Sequence, residues 1–173
     1  MRGARLAALA AAVVACGACT RSDEMRPLAA GDAAPAYGAR GLEGDSLSLT
    51  QLRGNAVLLN IWATWCIPCR QEMPALDSLQ RAYAAKGLKV VGVSIDEAGA
   101  DDAVREFLRE RGIGFTILRD PDERVTRSFR TSGVPESFLL DRQGRIVRRW
   151  IGAFQPAAAE TRTSVERALG ARG

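Results

Sequence analysis

From residue 56 to residue 151 the chain alternates short apolar runs with stretches in which apolar residues recur every three or four positions. Ala56–Ala63 (AVLLNIWA) and Leu88–Ile95 (LKVVGVSI) are runs of strand length without polar alternation, the pattern of strands buried on both faces. Phe115–Leu118 reads as a third, shorter strand. Ser137–Leu140 and Ile146–Ile151 read as a hairpin pair joined by the turn sequence Asp141-Arg142-Gln143-Gly144. Helical spacing falls between the runs. From Cys66 to about Lys86, Met73, Leu76, Leu79 and Tyr83 mark one face, and Pro74 is expected to kink the helix because it removes an interior hydrogen bond. Ala100–Arg111 opens with Asp101 and Asp102 and closes with Arg109 and Arg111, which complements a helix dipole, and Val104, Phe107 and Leu108 form its buried stripe. Asp122–Phe129 is expected to be a short helix, and Pro156–Leu169 a terminal one stopped by Gly170. Strand, helix, strand, helix, strand, helix, hairpin and helix predict an α/β fold, a mixed sheet with helices on both faces. No internal repeat is visible.

The amino terminus follows a different pattern. Met1–Arg5 carries two positive charges and Leu6–Ala15 (LAALAAAVVA) is unbroken apolar, too short to span a bilayer and the right length for a signal-peptide core. Val13-Val14-Ala15-Cys16 is similar to a bacterial lipobox, which places cleavage before a lipidated Cys16. A cut before Cys19, an ordinary secretory signal and an uncleaved anchor are the competing readings. Residues 1–15 are therefore read as a signal peptide, 16–34 as a flexible linker rich in polar residues, Ala, Gly and Pro, and 35–173 as the folded domain. Each of these readings places the domain outside the cytoplasm, on the periplasmic side of a bacterial membrane, where disulfides form.

Composition narrows the chemistry. The 173 residues are 47% hydrophobic and 25% charged, an ordinary globular balance, and the net charge of +4 is spread along the chain, which argues against a nucleic-acid partner. There is no histidine, so no Ser/His or Cys/His nucleophile pair and no histidine metal site can exist. The four cysteines form two Cys-x-x-Cys pairs, Cys16/Cys19 and Cys66/Cys69. A four-cysteine zinc site is disfavoured because the gap between the pairs far exceeds that of a zinc ribbon or knuckle, and because one pair ends the export signal. No metal and no cofactor is expected.

Trp65-Cys66-Ile67-Pro68-Cys69 follows a buried strand and opens a helix. There Cys66 meets unpaired backbone N–H groups and the positive dipole end, which favour its thiolate. Cys69 lies one turn on, within reach for a disulfide. Pro68 costs little in a first turn. Trp62 and Trp65 flank the pair as potential shields. A purely structural disulfide is the bland reading, but so short a loop constrains the unfolded chain little.

These residues carry a resemblance to the thioredoxin superfamily, within it to the membrane-tethered TlpA/ResA/CcmG-like branch. It runs from about Gly31 to Gly152 through Gly-Asp-Ala-Ala-Pro at 31–35, Ser48–Gly54, LLNIWATWCIPC at 58–69 and Gly133–Asp141. The resemblance implies a thioredoxin-like fold and a thiol-disulfide oxidoreductase with Cys66–Cys69 as its redox-active disulfide. It implies a cis Pro135 facing the dithiol, and a Val134 backbone with which an extended substrate pairs as an added strand. Trp65, Ile67, Pro68, Val134 and Glu136 are the residues expected to meet the substrate. Glu72 matches an active-site glutamate that takes the proton of Cys69, and a solvated helix glutamate is the equal alternative. Glu136 either tunes substrate choice or is a loop charge. Asn60 departs from thioredoxin, which has a titrating aspartate at that strand position; the relay is then absent or falls to Glu72.

In the implied mechanism the Cys66 thiolate attacks a substrate disulfide and Cys69 resolves the mixed disulfide. Ile67-Pro68, in place of the histidine carried by strong oxidants of the superfamily, favours reduction. Family clients are apocytochrome c haem-site cysteines and copper-site cysteines, and a membrane thiol donor would supply electrons to a monomeric, lipid-anchored domain. Three alternatives remain. A peroxiredoxin-type thiol peroxidase would need a Pro-x-x-x-Thr-x-x-Cys setting, and the proline is missing. A copper module would need a histidine. The third is a non-catalytic tethered binding module.

Overall fold

The computed structural model of the protein describes residues 26–170. The signal sequence, Cys16 and Cys19 lie outside the described residues. Seven strands form one sheet: β1 (Gly38–Gly41), β2 (Ser46–Ser48), β3 (Ala56–Trp62), β4 (Leu88–Ser94), β5 (Thr116–Arg119), β6 (Glu136–Leu140) and β7 (Ile146–Ile151). The helices are α1 (Ile67–Tyr83), α2 (Asp101–Arg111), α3 (Arg124–Phe129) and α4 (Ala159–Gly170). The strand order is β2-β1-β5-β4-β3-β6-β7. β3, β4 and β5 run parallel, joined by crossovers through α1 and α2, and every other pair is antiparallel.

β3 sits centrally because it is apolar apart from Asn60 and the Trp62 ring nitrogen, and all seven of its residues are buried. Its register with β4 is Trp62↔Ser94 and with β6 is Ile61↔Glu136, so the chain leaving β3 toward the cysteines emerges beside the residues entering β6. Asn60 reaches Glu72 of α1, Trp62 packs on Phe107 of α2, and Tyr83 of α1 donates to Glu166 of α4. These three helices therefore share one face. α3 covers the other, where Phe129 meets Phe138 of β6 at 4.9 Å between ring centroids. Gly92 has no room for a side chain on the first face: a Cβ there would lie 2.7 Å from Ile117 Cδ1 and 3.1 Å from the Trp62 ring nitrogen.

The expected strands and helices of the body are all present, and several boundaries differ for identifiable reasons. α1 continues through Pro74, whose carbonyl accepts from Ser78 Oγ at 2.9 Å. The predicted Asp122 start of α3 moves to Arg124, because Glu123 takes a left-handed backbone (φ 51°) and Asp120 caps Val125 N at 2.6 Å. α4 begins only at Ala159, after a turn over residues 156–158, and includes Gly170. β1 and β2, whose sequences GARG and SLS have no apolar alternation, had no expectation; they extend the sheet beyond β5. The linker reading also fails at its carboxyl end. Leu28 is buried, Gly31 N donates to Ile146 O at 2.8 Å, and Ala33 bridges Arg145, so this stretch packs on the body before residue 35.

Candidate active site: the dithiol at the head of α1

Cys66 is the N-cap of α1, in extended conformation (φ −83°, ψ 102°), and its Sγ accepts from Cys69 N at 3.2 Å. Pro68 falls in the first turn, where no carbonyl awaits its missing N–H. Cys66 and Cys69 are joined in a disulfide, Cα atoms 5.3 Å apart. Cys66 is 5% exposed and Cys69 not at all, whereas Trp65 and Ile67 are 64% and 66% exposed. Of the two sulfur-bearing residues only Cys66 meets solvent, and Cys69 is sealed behind it. The helix start supplies N–H donors to the sulfur on which negative charge develops.

Trp65 stands at the surface beside the cysteines, but Trp62 does not: it is wholly buried, 5.4 Å from Phe107, and belongs to the core instead of shielding the disulfide. The Val134–Pro135 peptide is cis. The β3–β6 register brings this loop to the end of the sheet from which the cysteine segment emerges, and Gly152 N closes it from the β7 side by donating to Pro135 O at 2.9 Å. Trp65 and Val134 line a cleft of about 300 Å³ together with Ile95, Glu123 and the Thr126 and Ser132 segments. Ile67 and Pro68 are exposed at the start of α1.

Glu72 is buried and not solvated. Its Oε1 accepts from Asn60 Nδ2 at 2.8 Å and its Oε2 from Phe154 N at 3.2 Å. No cation balances it among the described ion pairs. Burial pushes its carboxyl up to about 7, against the smaller opposing pull of the two hydrogen bonds. One turn separates it from Cys69, and both face the interior. Asn60 is fully buried; its Nδ2 also donates to Ser137 Oγ at 2.9 Å, while its Oδ1 has no partner.

Glu136 is neither a loop charge nor open to a substrate. It is the first residue of β6, 1% exposed, ion-paired with Arg149 Nε, and it accepts from Ser132 N at 3.1 Å. Arg149 in turn donates to Leu28 O and Arg130 O. A carboxylate enclosed this way holds the loop before Pro135 against β7 and cannot be offered to a client, which corrects its expected place among the substrate-contacting residues. Ser137 and the Phe154 N–H went unforeseen, since strand pairing and a loop after β7 bring them to Glu72. No group of three or more metal-ligating side chains exists among the described residues, and no helix there is long and apolar enough to cross a membrane.

Residues 30–149 match the AhpC/TSA family. Thiol-disulfide oxidoreductase ResA of Bacillus thuringiensis (strain Al Hakam) is 35% identical over 122 residues, 70% of this chain and 69% of that protein. Thioredoxin-like protein YneN of Bacillus subtilis (strain 168) is 36% identical over 137 residues, 79% of each. A Chlorobium tepidum crystal structure, assigned as thiol:disulfide interchange protein DsbE, superposes with a TM-score of 0.75 at 36% identity, covering 83% of this chain and 99% of that one.

Proposed function

The chain belongs to the thioredoxin-like AhpC/TSA family and is a thiol-disulfide oxidoreductase working through the Cys66/Cys69 dithiol, and from this premise we propose that it runs as a reductase of protein disulfides outside the cytoplasm. The observation that carries the reading is the asymmetry of the pair: an approachable Cys66 at a helix start, and a sealed Cys69 with an uncompensated buried carboxylate one turn away.

In the reduced protein the Cys66 thiolate attacks one sulfur of a client disulfide. That S–S bond breaks, a Cys66–client disulfide forms, and the departing client thiolate takes a proton from water. Cys69 then loses its proton to the Glu72 carboxylate and attacks Cys66 Sγ. The mixed disulfide breaks, the second client thiol is released, and two electrons have passed from the dithiol to the client. A group poised at about 7 suits this exchange, because it is ready both to accept a proton near neutral pH and to return it. Val134 lines the cleft, where an extended client pairs as an added strand, with Trp65, Ile67 and Pro68 as its contact surface. The lipobox-like segment ending at Cys16 supports a lipid anchor on the periplasmic side of a membrane, with a membrane thiol protein as electron donor. Haem-site or copper-site cysteines are the clients that follow from the family resemblance.

The test is the reduction potential of Cys66/Cys69 in the full chain with Cys16 and Cys19 replaced by serine, followed through tryptophan fluorescence in a thiol redox buffer. A potential near the thioredoxin end, about −270 mV, is expected; one near about −120 mV would make the protein an oxidant and overturn the direction.

A further inference from the structure

Asp96 follows β4 by two residues and is 2% exposed. A carboxylate this deep needs several donors. Thr64 N donates to its two oxygens at 3.0 and 3.1 Å, Thr64 Oγ1 at 2.5 Å, and Ser94 Oγ at 2.7 Å. No arginine or lysine forms an ion pair with it among the described residues. The nearby guanidinium of Arg119 reaches it through Ser94, whose hydroxyl donates to Asp96 and accepts from Arg119 Nη1. Arg119, itself buried, also donates to Glu97 O at 2.9 Å and to Asp101 at 2.7 Å. Ser94 pairs with both Trp62 and Arg119 across the sheet, so the cluster is anchored in the three parallel strands.

Its two ends fall on the walls of the cleft. Thr64 immediately precedes Trp65, and Ile95 immediately precedes Asp96; Trp65 and Ile95 both line the cleft with Val134. An indole that is 64% exposed has little packing of its own to hold it, so its place depends on how its backbone is tied down. The only side-chain hydrogen bonds reaching the Ala63–Trp65 segment among those found are the ones to Asp96. We propose that Thr64, Ser94, Asp96 and Arg119 form a clamp that positions Trp65 and Ile95 as the two walls of the client cleft. The clamp sets the preference of Cys66 for a disulfide carried on an extended apolar segment over a small soluble one. These four are positioning residues, since none of them has to touch the reacting sulfurs.

The test compares two activated disulfides on one thiol. In the full chain with Cys16, Cys19 and Cys69 changed to Ser, Cys66 is the single thiol. Its thiolate displaces thionitrobenzoate either from a short apolar peptide carrying it on a central cysteine or from Ellman's reagent. Each reaction forms a Cys66 disulfide and releases one coloured thiolate. Both disulfides are activated, so the measurement stands apart from the reductase direction proposed above. Thr64→Val, which keeps the side chain's size and removes its O–H, is expected to slow the peptide reaction about tenfold more than the Ellman reaction, the scale of one lost hydrogen bond to a charged group. Thr64→Ser is expected to restore the ratio. Arg119→Leu, remote from the cleft, is expected to move the ratio in the same direction by less, and it serves if Thr64→Val does not fold. Equal slowing of both reactions, an unchanged ratio, or failure of Thr64→Ser to restore it would overturn the clamp.

Discussion

Glu72 and Glu136 lie on opposite faces of one sheet end, both buried, and the difference between them is a cation. Glu136 meets Arg149 and a backbone N–H, and its neighbours bind the cis-proline loop, β7 and the Leu28 segment together. Glu72 meets only an amide and a backbone N–H, and burial leaves its carboxyl near 7. Of two similar carboxyl groups, the one given a fixed counter-charge builds structure, and the one denied it is free to gain and lose a proton. The proposed proton exchange with Cys69 rests on what Glu72 lacks.

The widest test of that contrast is to remove the cation. Arg149→Ala leaves Glu136 buried and unpaired, and is expected to cost about 3–5 kcal/mol of folding stability, read as a lowered denaturation midpoint. Exchange of Cys66 with a small disulfide such as Ellman's reagent, in the fraction still folded, should be little altered, because the pair touches neither sulfur. Next in size is Glu72→Gln, which keeps the shape and removes the base. Resolution of a preformed Cys66 mixed disulfide at pH 7 is expected to slow by about 100-fold, the low end for general base catalysis, in stopped-flow single turnovers. First attack by Cys66 should be nearly unchanged. Equal losses in both steps would assign Glu72 to structure, like Glu136.

The same carboxyl predicts a pH signature of comparable size. Its folded value of about 7 lies above the ordinary 4.5, so between those values the folded chain holds a proton the unfolded chain has released. The stability linked to it is complete below pH 4.5 and is lost as pH rises through 7, by about 3 kcal/mol on the linkage relation. Glu72→Gln should flatten that decline in denaturation curves taken from pH 5 to 8. The smallest expected effect is that of Ser137→Ala, which removes one acceptor from Asn60 and costs about 1 kcal/mol.

Much of this molecule was readable in order along the chain. The β3, β4 and β7 runs, the α1 and α2 faces and the Cys66/Cys69 pair at a strand-to-helix junction depend on local pattern and motif, which a linear reading captures, and the cis Pro135 follows from the family resemblance. The misses have physical causes. Trp62 looked like a shield because it neighbours the cysteines in sequence, but a strand turns alternate side chains to the two faces, and Trp62 points into α2. Glu136 read as a loop charge because its partner lies 13 residues away across a hairpin. β1 and β2 carry no apolar period, since both are short, β2 being the edge strand and β1 the one beside it.

By itself, then, the sequence determined the order of elements from β3 onward, the absence of imidazole chemistry, and the place where two thiols stand a helical turn apart at a helix start. These follow from short-range rules of spacing, capping and composition. Only the tertiary structure decided which carboxylates are buried, which of them has a cation, and which strand end gathers Thr64, Asp96 and Arg119. Burial and pairing are properties of distant segments meeting, and a side chain's charge state and reach are set by whatever the fold packs against it.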